Sequence, residues 1–79
     1  MNPPAARTAV VAIGDQPQIA GFALVGVRLS PAATPAEVQD AWRAAFPTAA
    51  VVILTDGAAS SLGDERHVPD APLTVVMPA

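Results

Sequence analysis

Ala9-Val10-Val11-Ala12-Ile13-Gly14-Asp15 is the stretch from which the fold can be read. Five apolar residues in a row, without the alternation of a half-exposed strand, suit a strand covered on both faces, as in a parallel sheet. Gly14-Asp15 breaks the run. Asp15 has the chemistry of a helix N-cap, and Pro17 suits the first turn, where a missing N–H costs nothing. Ile19, Phe22, Ala23 and Gly26 follow at helical spacing, with Gly26 placed to close the helix as a C′ residue. The expectation is strand, turn, helix: the first half of a β-α-β crossover.

The same alternation of elements continues to the end of the chain. Val27-Arg28-Leu29 reads as a short strand stopped by Ser30-Pro31. Thr34-Pro35-Ala36-Glu37 combines an N-cap threonine, a proline at N1 and a glutamate at N3, which is a capping box. Val38, Ala41, Trp42 and Ala45 form the apolar stripe of the helix it starts, and Pro47 ends that helix. Val51-Val52-Ile53-Leu54 is a second β-branched strand, and Thr55-Asp56-Gly57 terminates it and caps a short third helix, Ala58 to Leu62. Leu73 to Met77, framed by Pro72 and Pro78, is the last strand. The order β-α-β-α-β-(α)-β defines an α/β fold. It predicts a small four-stranded, mostly parallel sheet flanked by helices, receiver/flavodoxin-like, with right-handed crossovers. Residues 9–79 read as one domain and residues 1–8, with Pro3 and Pro4, as a disordered start.

Composition narrows the function classes. The 79 residues support one small core, and 18 of the 41 apolar residues are alanine, so the 52% hydrophobic fraction is not that of a membrane protein. No run approaches the ~20 apolar residues of a bilayer span, and no basic segment precedes the first strand as a secretory signal would require. The absence of cysteine removes disulfides, thiolate metal sites and cysteine nucleophiles. All four basic residues are arginines, which excludes a Schiff-base or P-loop lysine. A net charge of −3 speaks against nucleic acid.

Two acidic residues, Asp15 and Asp56, follow apolar strands at the sheet edge where open α/β folds bind ligands. An acidic pair there can hold Mg²⁺ for phosphoryl transfer, as in receiver domains. Such a domain calls for a second acid beside Asp15 and a lysine on a fifth strand, and Gly14 and the missing lysine provide neither. Both are therefore read as N-caps. His67, the one histidine, reads as a solvated loop residue, and Ser60-Ser61 as a helix-end pair without an identified base. Trp42 reads as core, with an interface anchor as the alternative. No catalytic, cofactor or metal residues are assigned, and the residues alone point to an acidic binding module.

Val10 to Asp15 and Gly21-Phe22-Ala23-Leu24-Val25-Gly26-Val27 together resemble the small central-stalk subunit, designated F, of the vacuolar and archaeal-type (V/A-type) rotary ATPases. Thr34-Pro35-Ala36-Glu37, Val51 to Asp56 and the last strand between Pro72 and Pro78 match the family's pattern in the same order, so the resemblance spans about residues 9 to 78. It implies a non-catalytic, cofactor-free subunit of the central rotor stalk, cytoplasmic and peripheral on a membrane-bound complex. Its expected partners are the coiled-coil stalk subunit, designated D, and the nucleotide-binding subunits, without nucleic acid or direct membrane insertion. In that family the domain helps couple ATP turnover to proton or sodium translocation. The alternative is a stand-alone receiver-like regulatory module that binds a protein partner.

Two features depart from the family pattern. Gly57 to Asp70 is shorter than the family's third helix, and the sequence ends at Ala79 where family members continue into a helical tail. The short third helix is expected to leave one sheet face near Val51 to Leu54 and Leu73 to Met77 thinly covered. Docking is accordingly expected to come from the globular domain, through apolar contact with a long helical hairpin.

Overall fold

β1 (Ala9–Gly14) lies inside a four-stranded sheet, between β2 (Arg28–Pro31) on one side and β3 (Ala49–Leu54) on the other, and β4 (Leu73–Val76) pairs with β3. The computed structural model describes residues 7–78. Every pairing is parallel, with Ile13 opposite Ser30 on β2 and Leu54 on β3, and Leu54 opposite Val76 on β4. The α/β reading is borne out, and the sheet is wholly rather than mostly parallel. Val11, Ala12 and Ile13 are buried in succession, which is what an unbroken apolar run implies for a strand covered on both faces.

The strand bounds differ from the expected ones by one or two residues, most at the end of β2 and the start of β3. β2 does not stop before Ser30 but runs through Pro31, which lies opposite Gly14. Proline is accommodated because β2 is an edge strand, bonded only to β1, so no outer neighbour needs its N–H. The next residue restores the rung: the Ala32 N–H donates to the Gly14 carbonyl at 2.9 Å. β3 begins at Ala49, two residues before the β-branched run, and Ala49 is fully buried.

The first connection departs further. The expected continuous helix is a four-residue α1 (Gln16–Ile19) followed by a 3₁₀ segment, Ala20–Val25. The Asp15 side chain makes no capping bond, so only its carbonyl holds the first turn, accepting from the N–H groups of Gln18 and Ile19. Gly21 then adds a weak helix former just where the ladder tightens. Gly26 ends the segment as expected, left-handed at φ 81° with its N–H directed at the Phe22 and Ala23 carbonyls. Ile19 is fully buried and Phe22 half-buried, but Ala23 is exposed, so the stripe is narrower than a true helix would give.

The capping box forms as the sequence implies. The Thr34 hydroxyl accepts from the Glu37 N–H at 3.2 Å, and Glu37 Oε1 accepts from the N–H groups of Thr34 (3.1 Å) and Ala33 (2.9 Å). It starts α2 (Pro35–Ala45), whose Val38, Trp42 and Ala45 are buried. Trp42 belongs to the core and meets Phe46 edge-on at 5.9 Å between ring centroids. Of the eight residues expected to form the disordered start, the first six lie outside the described residues. Arg7 stacks its guanidinium 5.0 Å over the Phe46 ring and donates to the Asp70 carbonyl.

The two sheet faces are unequally dressed. Val11, Ile13, Val52 and Leu54 form the main core with Val38 and Trp42 of α2 and with Ala58, Ala59 and Leu62 of α3 (Asp56–Leu62). A second 3₁₀ segment, Gly63–His67, follows α3. The opposite face presents Ala12, which is buried, with Val51 and Ile53 half-buried and Leu73 and Val75 exposed. The expected thin cover over β3 and β4 is therefore real, but its cause is not the short α3, which packs on the other face.

Hydrogen bonds from the backbone N–H groups of Ala33 and Thr34 hold the Glu37 carboxyl below its ordinary range. A carboxyl depressed in the folded state stabilises above its unfolded pKa, about 4.3, and loses that contribution as pH falls through the folded value. Urea unfolding should therefore show wild type more stable than Glu37→Gln near neutrality. The gap should close as the pH falls below the unfolded pKa and through the lower folded-state value. A gap unchanged at low pH would contradict the box as described.

Candidate functional site

In a parallel sheet ordered β2-β1-β3-β4, the connections leave β1 and β3 in opposite lateral directions, opening a crevice at the carboxyl ends of those two strands. The residues that meet there are Gly14 and Thr55. A Cβ on Gly14 would fall 2.2 Å from Thr55 Cγ2 and 2.5 Å from its Oγ1, at a φ of +155°, so no larger residue fits without displacing the β3 end. The Thr55 N–H donates to the Ile13 carbonyl at 3.2 Å, closing the strand ends together. The threonine hydroxyl is itself occupied, accepting from the Ala58 N–H at 3.2 Å as the N-cap of α3.

This arrangement corrects the expected roles of both aspartates. Thr55, not Asp56, caps α3, because the extended backbone needed at an N-cap falls on the residue that ends the strand. Asp56 is the first helical residue, exposed, where its charge favours the positive end of the helix. Asp15 occupies the N-cap position of α1 but makes no side-chain bond. Thr55 was visible in the sequence as part of the Thr-Asp-Gly turn. Both Thr and Asp are good caps, and only the strand end decides between them.

The crevice is lined by Asp15, Gln18, Ala32, Thr34, Thr55 and Ser61. Its hydroxyls are committed to backbone: Thr34 and Thr55 cap helices, and Ser61 Oγ donates to the Gly57 carbonyl at 3.0 Å. Ser60 and His67 are exposed and lie outside it. Among the described residues, no three His, Cys, Asp or Glu gather as a metal would require. No helix of the described residues is long and apolar enough to cross a membrane.

The fold and this edge define a small, all-parallel α/β domain whose switch-point hydroxyls serve its own backbone. The chain belongs to the ATP synthase (F/14-kDa) subunit family, whose model matches residues 10–78. The matched span runs from the second residue of β1 past the end of β4, and the resemblance read from the sequence is borne out. No curated protein matches the chain closely enough to be reported as a relative.

Substitutions separate the structural roles at this edge. Gly14→Ala should cost about 1–3 kcal/mol through overpacking against Thr55. Gly57→Ala, where an added methyl meets nothing within 4 Å, should be neutral or stabilising by up to about 1 kcal/mol. Thr55→Val should lose about 1 kcal/mol with the cap, and Asp15→Ala should stay within about 0.5 kcal/mol of wild type. Urea midpoints measure all four, and an Asp15→Ala loss as large as that of Thr55→Val would restore the aspartate as a cap.

Proposed function

We propose that this chain acts as the non-catalytic F-designated subunit of the central stalk in a V/A-type rotary ATPase, docking on the coiled-coil stalk subunit. In this role it transmits rotation between the nucleotide-binding subunits and the ion-translocating membrane sector, working on the cytoplasmic side without inserting into the bilayer. The observation that carries the reading is the family match across residues 10–78. The geometry of the crevice supports it, since Gly14 abuts Thr55 where an open α/β enzyme would seat a ligand, and the nearby hydroxyls already bond to backbone. A receiver-like role is disfavoured by the missing lysine and by Gly14 standing where a second acid is needed.

A domain of this size buries a modest core and gains stability from any partner that binds its folded state. Co-expressed with the coiled-coil stalk subunit of its own complex, the chain should co-elute as a binary complex melting above the free domain. Because the expected contact is apolar, that shift should change little between about 0.1 M and about 1 M salt. Absence of co-elution and of a melting shift would refute the stalk role. Acetyl phosphate with Mg²⁺ should leave the protein unmodified, and an acyl-phosphate on Asp56 would establish the receiver role instead.

A further inference from the structure

On one face the sheet carries two helices, α2 and α3, packed against each other. On the other, α1 and the 3₁₀ segment Ala20–Val25 lie against β1 and β2. Four strands about 4.8 Å apart give each face room for roughly two helices of about 10 Å diameter. The second face is therefore one helix short, over β3 and β4. The floor of this trough is Val51 and Ile53, half-buried, with Leu73 at 68% and Val75 at 49% exposure. Its wall is a cleft formed by Gly21, Phe22, Val25 and Met77, with Val25 itself 74% exposed. None of these residues is charged.

We infer that this trough seats a single amphipathic helix of a partner chain, through a stripe of uncharged aliphatic side chains. The occupant's chemistry follows from the floor: a charge laid on Leu73 and Val75 would be desolvated with no opposite charge in the trough to meet it. Its shape follows from the wall. The α1 and Ala20–Val25 ridge over β1 and β2 prevents a second sheet from lying flat across the face, and leaves a channel that suits a rod. Strand addition at β4 is opposed because the edge is four residues long and bracketed by Pro72 and Pro78. A six-residue β3 is about 20 Å long, which matches about 13 residues of helix and an i, i+3, i+4, i+7 stripe. The inference rests on the stalk reading, in which one helix of the coiled-coil subunit fills the trough.

The test compares the full chain with Leu73→Glu/Val75→Glu, and with Val68→Glu as a control, since Val68 is 44% exposed beside Trp42 and Phe46 on the other side of the sheet. All should melt within a few degrees of one another when free, because the altered side chains are exposed. Binding to the coiled-coil stalk subunit should weaken at least about a hundredfold in the double variant and stay near wild type in the control. The chain has no cysteine, so Val75→Cys and Val68→Cys can each carry one environment-sensitive fluorophore, which guards against misfolding of the double variant. The label at 75 should shift to the blue on binding and the label at 68 should not. Full-strength binding by the double variant with an unchanged label at 75 would overturn the assigned face and leave the stalk role standing. Failure of wild type to bind the stalk subunit would overturn both. A concentration-dependent dimer abolished by the double variant would replace the partner helix with a second copy of this chain.

Discussion

The close approach of Gly14 to Thr55 is the constraint on which the rest of the structure depends. It joins the ends of the two central strands, and the chain departs from each in a different direction immediately afterwards. The Ile13 carbonyl receives the Thr55 N–H, and the Gly14 carbonyl receives that of Ala32. Three strand ends are thus tied within two consecutive residues of β1. A side chain at position 14 would push β3 away, and with it the helix that Thr55 caps. One missing Cβ sets sheet spacing, helix start and crevice depth together.

That contact also shapes what the carboxyl edge of the sheet can do. Open parallel sheets bind ligands at the switch point because two helix starts leave N–H groups and space there. Here Thr34, Glu37 and Thr55 satisfy N–H groups at the starts of α2 and α3, and the methyl group of Thr55 fills the space beside Gly14. The residues that looked most chemical in the sequence, Asp15 and Asp56, stand exposed at the rim. The polar chemistry at this edge serves the fold.

The apolar chemistry is distributed differently. On the α2/α3 face, Trp42, Leu62 and Leu54 complete a closed core, whereas the opposite face ends in exposed Leu73 and Val75. Large exposed aliphatics on adjoining positions are uncommon on a free monomer and usual at an interface. Membership in a family of ATP synthase subunits gives this asymmetry a natural setting, since such a subunit works inside a larger assembly.

The sequence by itself determined the elements whose signals are local. The apolar run at Ala9–Ile13 announced a doubly covered strand and that at Val51–Leu54 announced β3, and Thr34-Pro35-Ala36-Glu37 announced α2 together with its reciprocal cap. Trp42 could be assigned to the core because it falls on a helical stripe. Order and spacing of these pieces sufficed for the family as well. Only the tertiary structure decided what depends on neighbours. Pro31 extends β2 because that strand lies at an edge, and the helix expected after Asp15 is a four-residue α1 followed by a 3₁₀ segment. The choice of Thr55 over Asp56 as cap depends on where β3 ends against β1. The thin cover over β3 and β4 was anticipated from the short third helix, but the face on which it falls was not. Which face a strand residue presents is set by register across the sheet, and which helices cover that face is set by the strand order, neither of which is written locally in the chain.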